Sequence, residues 1–469
     1  MLIRHFFTPG LFINTYLVFD ELAKIGAVID PTRNIDDYLA CALKQGVKVT
    51  DILETHVHAD FVSGAPELKA ALGGNATIHC SGLGGAAWIP AYADQVVQDG
   101  DAVQLGSVRL EAWHTPGHTP EHLIWVAYDG NREENVPQAV FTGDLLFVGS
   151  VGRPDLLGKE TAPFLARQLH HSLFAVLGKL PDFVEIYPAH GAGSLCGKGI
   201  GAGLSSTLGY ERQCNPWLIP QNDEAWLCSL NLDSLPIPRY FPHMKKVNVA
   251  RSKGVEKQKT LPLLSKEQVV ALSEECTIVD VRRPDDFATG NFPGSINIPF
   301  APAFSLWAGA VLPSNKKLIV VIDHPEMLSS IMQSLSLVGF DDVAGMIDVS
   351  QWNFFEKKKW LVPAPAITAH DLQKEKEKFY ILDVRTDKEW EKGHIQGAHH
   401  LELIHVPQKL SEIPLDKPIA VICHSGNRAS IVASLLKKER GAIAFNVQGG
   451  MQAVDTGHTG QSGHTGHIG

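Results

Sequence analysis

Residues 55–61 are Thr55-His56-Val57-His58-Ala59-Asp60-Phe61, and the first half of the chain is interpreted as organised around them. It follows the apolar segment 47–53, which predicts a β-strand, so its imidazole and carboxylate groups leave a strand end together. Imidazole with carboxylate is a mixture that binds metal ions. Taken alone, the stretch fits a polar loop with ordinary hydrogen bonds equally well.

Three further polar turns each follow an apolar segment and carry a candidate ligand. His118 lies in a Thr-Pro-Gly-His-Thr turn, Asp144 in Thr-Gly-Asp, and His190 in Pro-Ala-His-Gly. An aspartate in such a turn can simply cap it, and Asp144 alone favours that interpretation. Because four strand ends each deliver His or Asp, we interpret them together as one metal site.

Strands and helices alternate around these turns. The apolar runs predict helices at 37–45 and from Pro66, and strands at 14–19, 25–30, 47–53, 76–79, 108–114, 123–128 and 139–142. This alternation predicts an α/β fold with its polar loops along one edge.

The motif order resembles the metallo-β-lactamase superfamily over roughly the first half of the chain. The resemblance implies an αββα sandwich, two sheets with helices outside and metal in the cleft between the sheets. The chain departs from the superfamily pattern at Phe61, where a histidine that binds a second metal normally stands. Because phenylalanine has no lone pair to donate, we do not expect a two-metal centre.

Two imidazoles and one carboxylate remain, the facial triad of non-haem Fe(II) oxygenases. This is also the ligand set of the persulfide dioxygenase branch of the superfamily, which these motifs resemble. The resemblance implies that His56, His118 and Asp144 hold one Fe(II) per chain. It also implies that three neighbouring side chains orient the ligands or hydrogen-bond water, namely His58, Asp60 and His190.

Two residues beyond the last turn have two interpretations each. Cys196 lies in a Gly-rich loop beside Lys198, which favours a thiolate that accepts sulfur or positions substrate. A buried small side chain explains Cys196 equally well. Arg212 is either part of a substrate wall or a charge on a helix surface.

Composition limits the compartment and the partners. The chain has 469 residues, a net charge of −10 and a 44% apolar fraction, which indicate several globular domains and no nucleic-acid or membrane partner. Seven cysteines do not suggest a disulfide framework. They indicate a reducing compartment, so we expect a cytoplasmic protein. Residues 1–6 lack the apolar core of a signal peptide.

The second half contains an internal repeat. Residues 277–287, Thr-Ile-Val-Asp-Val-Arg-Arg-Pro-Asp-Asp-Phe, recur at 380–390 as Tyr-Ile-Leu-Asp-Val-Arg-Thr-Asp-Lys-Glu-Trp, and residues 290–297 recur at 393–399. A period of about 100 residues is that of a small domain. Both copies resemble the rhodanese domain, an α/β fold with a parallel sheet.

The second copy carries a loop suited to hold an anion. Residues 423–428, Cys-His-Ser-Gly-Asn-Arg, lie between a predicted strand and a predicted helix. Backbone N–H groups, the helix N-terminus and the Arg428 guanidinium together favour a thiolate or persulfide on Cys423. The resemblance implies that Cys423 is a sulfurtransferase nucleophile.

The first copy lacks both groups at the matching place. Residues 323–328, Asp-His-Pro-Glu-Met-Leu, contain neither cysteine nor arginine, and their two acids would repel an anion. We expect no sulfurtransferase activity there and a role as scaffold or interface; different chemistry on His324 is the less favoured alternative. The resemblance to these enzyme families also implies that the protein forms a homo-oligomer.

These observations divide the chain into four predicted segments. A metal-binding domain occupies 1–245, a rhodanese-like domain without cysteine 263–362, a rhodanese domain with Cys423 366–455, and a disordered tail 456–469. The basic stretch 243–259 is interpreted as a solvated linker at the first boundary.

The predicted function is oxidation of a low-molecular-weight thiol persulfide, such as glutathione persulfide, by O₂ to sulfite in sulfide detoxification. Cys423 would exchange sulfane sulfur with sulfite or thiosulfate. One alternative is a glyoxalase II-like hydrolase of glutathione thioesters, which normally uses two metals, with Zn²⁺ in place of iron. Another is a persulfide carrier or sensor without enzymatic activity.

Overall fold

The protein consists of two compact α/β units. The structure is a computed structural model that describes residues 1–220, 223–230, 237–251 and 261–458. The first unit is Met1–Lys257 with Ser336–Gly339, and the second is Gln258–Leu335 with Phe340–Gly469. In the described ranges, every helix is too short or too polar to cross a membrane.

The first unit is built on two six-stranded sheets. Strands β1 to β14 are Leu2–Thr8, Ile13–Phe19, Ile25–Ile29, Lys48–Leu53, Thr77–Ser81, Gln95–Val97, Ala102–Leu105, Val108–His114, Leu123–Asp129, Pro137–Gly143, Leu146–Phe147, Ser150–Val151, Glu185–Pro188 and Ser206–Thr207. Strands β1 to β6 form the first sheet in chain order. The second sheet is ordered β14-β13-β10-β9-β8-β7, and β11 pairs with β12.

Helices cover the outer faces of the two sheets. Helices α1 to α6 are Ile35–Gln45, Ala65–Ala71, Ala162–His171, Leu208–Cys214, Asp223–Ser229 and Phe241–Ala250. Trp125 of β9 packs between the sheets, whereas its neighbour Val126 packs with Leu169 of α3 on the outer face. On the other side, Phe19 packs with Tyr38 of α1. Because successive side chains of a strand point to opposite faces of its sheet, each sheet packs against the other sheet on one face and against helices on the other. The predicted αββα sandwich is confirmed.

The second unit contains two parallel sheets of related order. Strands β15 to β23 are Cys276–Asp280, Ile296–Asn297, Lys317–Ile322, Val343–Asp348, Ala366–Thr368, Tyr380–Asp383, His399–His400, Ile419–Ile422 and Ala444–Gln448. Helices α7 to α16 are Lys266–Leu272, Pro284–Thr289, Phe304–Val311, Leu328–Leu337, Phe354–Trp360, Ala369–Glu375, Asp387–Glu391, Val406–Lys409, Asn427–Arg440 and Gly450–His458. The sheets are ordered β16-β15-β17-β18 and β19-β23-β22-β20-β21. We call the parts from α7 to α11 and from β19 to α16 the first and second modules.

Two sequence predictions are wrong at their edges. The boundary at residue 245 falls inside α6, so residues 243–250 are helix and not linker, and residues 252–259 of the predicted linker lie outside the described ones. The buried face of α6 includes Met244 and Asn248; because one of them is polar, the sequence does not show the apolar period of an amphipathic helix. The predicted tail at 456–469 overlaps α16, which extends to His458; its other residues lie outside the described ones.

Candidate metal centre and cysteine loop

Three of the predicted ligands meet in the first unit. His56 follows β4, His118 lies in the turn after β8, and Asp144 follows β10. One ligand atom from each lies within 4.8 Å of the other two, and all three residues are buried. Asp144 Oδ2 is 3.3 Å from His118 Nε2 and 3.8 Å from His56 Nε2. Strand ends far apart in sequence therefore aim three donor atoms at one point.

Hydrogen bonds on the outer ring nitrogens fix which nitrogen faces that point. His118 Nδ1 donates to the carbonyl oxygen of Arg153 at 2.9 Å. His56 Nδ1 is 2.9 Å from Thr55 Oγ1, whose own hydroxyl donates to Asp30. Because the Thr55 hydroxyl donates its proton to Asp30, its oxygen accepts a hydrogen bond from the Nδ1–H group of His56. Both imidazoles therefore present the lone pair of Nε2 inward, the arrangement found in metal sites.

The charge states at this point also suit a cation. Burial lowers the pKa of His118 and holds that of His56 well below its usual value, so both rings are neutral. Burial raises the pKa of Asp144, but His190 and His118 outweigh it and hold the pKa well below its usual range. Among the described residues, His118 Nε2 and Asp144 Oδ2 are buried without a hydrogen-bond partner. Two neutral imidazoles and a carboxylate thus fit a metal ion, which would satisfy these atoms.

His190 lies beside this site with both ring nitrogens occupied. Nδ1 is 2.7 Å from Asp144 Oδ1, and Nε2 is 2.8 Å from Asp60 Oδ2. Burial lowers the pKa of His190, but Asp144 and Asp60 outweigh it and raise the pKa to about 10. The ring is therefore an imidazolium that bridges two carboxylates and has no lone pair to offer.

His58 pairs with two other carboxylates through one ring nitrogen. Its Nε2 is 3.2 Å from both Asp30 Oδ1 and Glu54 Oε2. Burial lowers the pKa of His58, but the two acids outweigh it and raise the pKa well above its usual value. The ring of Phe61 packs on the other side of the imidazole, with centroids 4.2 Å apart. The pairing of His58 with Glu54, four residues earlier in the chain, was not recognised from the sequence.

Helix α6 holds the loop that carries these residues. Asn248 Nδ2 donates to the carbonyl oxygens of His58 and Phe61, each at 2.8 Å. Asn248 Oδ1 accepts from the Ser63 N–H at 3.0 Å. One buried side chain therefore satisfies three backbone groups of the candidate metal loop. No sequence pattern indicated this role, because Asn248 stands there only as an asparagine in a basic stretch.

Cys196 lies beside the site as a buried thiol. Its Sγ and one ligand atom each of Asp60 and His190 lie within 4.8 Å of one another. Burial raises its pKa well above the usual value, and Asp60 and Asp144 add to the rise. Burial therefore opposes the thiolate that Lys198 was expected to favour. Its position next to the site and its burial keep both interpretations of Cys196 open.

Of two other residues, Arg212 follows one of its two predicted interpretations and Tyr240 was missed. Arg212 pairs with Asp182 and donates to the Leu180 carbonyl oxygen at 3.0 Å, as expected of a charge on a helix surface. Tyr240 was missed: its hydroxyl is buried and has no partner among the described residues. Burial raises its pKa well above the usual value, and the charges of Asp60 and Cys196 add to this.

The cysteine loop of the second module surrounds a sulfur with N–H groups. Cys423 is 1% exposed. Its Sγ accepts from the N–H of Gly426 at 3.1 Å and of Ala429 at 3.4 Å. Gly426 has φ +101°, a conformation that favours glycine. The predicted anion cradle is thus present in the backbone.

Arg428 adds a positive charge to the loop, and an ion pair with Glu389 holds its side chain in place. Its two terminal nitrogens donate to the two carboxylate oxygens of Glu389 at 2.6 and 2.7 Å. Burial raises the pKa of Glu389, but Arg428 and Thr386 outweigh it and lower the pKa to about 2. Burial lowers the pKa of Arg428, but its hydrogen bonds with Glu389 and the charge of Cys423 outweigh this and raise the pKa. Glu389, from the repeated motif, therefore positions the arginine of the loop.

The first module has no such cradle at residues 323–328. His324 is exposed and pairs with Glu326 at 3.0 Å. A short 3-10 helix over Pro325–Met327 replaces the open turn of the other loop. The geometry agrees with the absence of cysteine and arginine from this stretch.

Comparison with known proteins identifies two kinds of domain. Residues 8–190 match the family model "Metallo-beta-lactamase superfamily", and residues 265–349 and 368–456 each match "Rhodanese-like domain". A probable metallo-hydrolase of Burkholderia pseudomallei is 34% identical over 40% of this chain and 72% of its own length. The mitochondrial persulfide dioxygenase ETHE1 of Homo sapiens is 31% identical over 53% of this chain and 88% of its own length. A crystal structure of a metallo-beta-lactamase from Staphylococcus aureus, 31% identical, superposes with a TM-score of 0.67 over 74% of this chain and 98% of that one.

Proposed function

The chain belongs to the metallo-β-lactamase superfamily and carries two rhodanese-like domains, and from that premise we propose that it oxidises a thiol persulfide with O₂ and moves sulfane sulfur through Cys423. The observation that carries the proposal is the convergence of donor atoms from His56, His118 and Asp144 at one buried point, where His118 Nε2 and Asp144 Oδ2 have no hydrogen-bond partner among the described residues. The likeness to a persulfide dioxygenase supports sulfur chemistry at this site.

The proposed oxidation converts a low-molecular-weight thiol persulfide, O₂ and water into the thiol, sulfite and two protons. The outer sulfur of the persulfide loses its bond to the inner sulfur and is oxidised, while O₂ is reduced. One Fe(II) held by His56, His118 and Asp144 would supply the change of valence that Zn²⁺ cannot provide.

The surrounding side chains would keep a single ion in place. Asp144 uses Oδ1 for His190, which leaves Oδ2 for the ion. His190 holds its protons between Asp144 and Asp60 and so stays out of the ligand set. His58 is held by two acids, and Phe61 lies where the superfamily places a ligand for a second ion.

The proposed sulfur transfer takes place at Cys423. Its thiolate attacks the outer sulfur of thiosulfate, an S–S bond forms on the cysteine, and sulfite leaves with the electron pair of the broken bond. The reverse step, from a cysteine persulfide to sulfite, makes thiosulfate. The N–H groups of Gly426 and Ala429 stabilise the sulfur anion in both directions. Joining both sites in one chain raises the local concentration of the shared sulfite.

Oxygen uptake with glutathione persulfide tests the proposal on protein purified without air. We expect about one iron per chain, and we expect His118→Ala to lose both iron and oxygen uptake by at least about tenfold. His114→Ala is the matched control, because His114 ends the strand before the same turn and its ring nitrogen Nε2 donates to the Pro120 carbonyl oxygen and not to a candidate ligand. Cys423→Ser should keep oxygen uptake.

The alternatives give different results in the same experiment. Two zinc ions per chain, no oxygen uptake and hydrolysis of lactoylglutathione would identify a thioester hydrolase. Persulfide transfer without oxygen uptake, and with activity independent of His118, would identify a carrier. A cytoplasmic location and self-association through the first module stay predictions from composition and resemblance.

A further inference from the structure

A cavity of about 240 Å³ lies between the two modules of the second unit. Phe287 of α8 and Asn291 contribute to the wall from the first module. Ala433 of α15 and Asn446 of β23 contribute to the wall from the second. Cys423 is not among the lining residues, so the cavity is separate from the cysteine loop.

Most polar groups in the walls already have partners. Ser430 Oγ donates to Asn297 Oδ1 at 2.5 Å, and Ser434 Oγ donates to the Ser430 carbonyl oxygen at 2.8 Å. Asn291 Nδ2 donates to the Val362 carbonyl oxygen at 2.8 Å. These groups fix the shape of the cavity and are not free for a ligand.

Asn446 is the exception. The residue is 6% exposed, and its Oδ1 is buried with no hydrogen-bond partner among the described residues. Native proteins rarely leave a buried acceptor without a donor. Asn446 is among the residues that line the cavity, so a donor group held against its side chain there would give this oxygen a partner.

Positive charge lies at another part of the wall. Lys437 is exposed and Lys438 is partly buried, and the described residues that line the cavity include no Asp or Glu. Burial lowers the pKa of Lys438; Glu439 partly offsets this, and Lys316 lowers the pKa further. An anion bound here would gain two charge-assisted contacts and relieve the repulsion between lysines.

We propose that this cavity binds a small organic anion of the acidic-peptide class. Its carboxylate would pair with Lys437 and Lys438, its apolar part would pack on Phe287 and Ala433, and an amide N–H would donate to Asn446 Oδ1. Inorganic phosphate has no apolar part, and benzoate has no donor. The proposal does not depend on the oxidation assigned to the first unit.

The position of the cavity links it to the cysteine loop. Helix α15, which lines the cavity, also begins in that loop. A Cβ atom built on Gly426 would lie 3.7 Å from Asn446 Oδ1. Asn446 therefore lies close to the cysteine loop, and the first module, which has no cysteine at residues 323–328, supplies one wall of the cavity.

Lysine labelling on the full chain tests the site without measuring activity. The lysines are acetylated with a soluble ester in the presence of S-methylglutathione, which has carboxylates and amide N–H groups but no reactive thiol. The amine of S-methylglutathione also consumes ester, so the ester is kept in large excess over it, and labelling is read by peptide mass spectrometry. We expect saturating S-methylglutathione to slow labelling of Lys437 and Lys438 at least about fivefold, as an ion pair at a partly exposed site allows. The exposed pair Lys357 and Lys358, outside the cavity, should be unaffected.

Two variants and two other probes decide the outcome. Ala433→Phe fills the cavity and should abolish protection, while Asn446→Leu should raise the half-protecting concentration about threefold to tenfold through the lost hydrogen bond. The second variant keeps the test valid if the first does not fold. Benzoate and phosphate should each protect less than about twofold. Absence of protection by S-methylglutathione, undiminished protection in both variants, or equal protection by phosphate would overturn the proposal.

Discussion

The two rhodanese-like modules keep the same supporting ion pair and differ at one loop. In each, a buried aspartate at the end of a strand binds an arginine: Asp280 Oδ2 is 2.5 Å from Arg282, and Asp383 Oδ2 is 2.7 Å from Arg385. Each arginine also donates to a glycine carbonyl eight residues on. Removing one member of such a buried pair costs about 3–5 kcal/mol. This pair supports the fold in both copies, whatever chemistry the copy carries.

The loops at 323–328 and 423–428 carry the difference. Cys423 accepts two N–H groups, Gly426 takes a left-handed conformation, and Arg428 adds a cation. The matching positions hold Asp323, Glu326 and Leu328. The comparison teaches that fold and chemistry depend on separate residues, so a copy can lose one without the other.

The largest loss of sulfur-transfer activity is expected when Cys423 is replaced. Cys423→Ser should lower sulfur transfer from thiosulfate to cyanide at least about 1,000-fold, because a hydroxyl is a far weaker nucleophile than a thiolate. Adding Asp323→Cys to that variant should restore nothing, because the first loop has no cradle. The exposed Cys214, changed to serine, is the control. Activity in the Asp323→Cys double variant would break the comparison.

A smaller effect is expected from the arginine. Arg428→Leu places in the second loop the residue found at position 328, and sulfur transfer should fall about tenfold to 100-fold through the lost charge. Arg428→Lys should recover part of the activity, since it keeps the charge but not the paired contact with Glu389. Steady-state rates with thiosulfate measure this. An unchanged rate in Arg428→Leu would mean that the backbone cradle alone separates the two loops.

The pairing of Glu389 with Arg428 predicts a dependence of stability on pH. The pKa of Glu389 is about 2 in the folded protein against 4.5 for the free group. Its charge therefore stabilises the fold above about pH 4.5, and this is lost as pH falls towards 2. Glu389→Gln should lower the unfolding midpoint at pH 7, with the difference narrowing below pH 4.5.

Asp286→Asn is the control for that measurement. Asp286 occupies the matching position in the first module, where Leu328 replaces the arginine. We expect its unfolding midpoint to differ little from that of the unmodified protein from pH 7 to pH 3. An equal effect of both substitutions would show that the ion pair is not the cause.

The smallest effect is expected from the first loop. His324 is exposed and contacts Glu326 only through a surface pair, which contributes about 0–1 kcal/mol. His324→Ala should change sulfur transfer and oxygen uptake less than about twofold. A larger loss of either activity would give the first loop a chemistry of its own.

Sequence patterns predicted the elements and the candidate ligands well because both are local signals. Each ligand follows an apolar strand, and strands at β2, β4, β8 and β10 are confirmed. The hydrogen-bond partners of the site residues could not be predicted from such local patterns. Asp30 reaches His58, Arg153 reaches His118, and Glu389 reaches Arg428 only after distant segments pack together. Periodicity within one segment contains no information about such contacts.

Asn248 has a consequence for how the first unit is made. It belongs to α6, which follows both sheets in the chain, yet it holds the backbone at His58, Phe61 and Ser63. A ribosome must therefore finish this helix before the loop gains its last three hydrogen bonds. A gene fragment that stops at residue 245 would encode every candidate ligand without the side chain that secures the loop after His56. Recombination that moves this unit between proteins has to carry the helix with it.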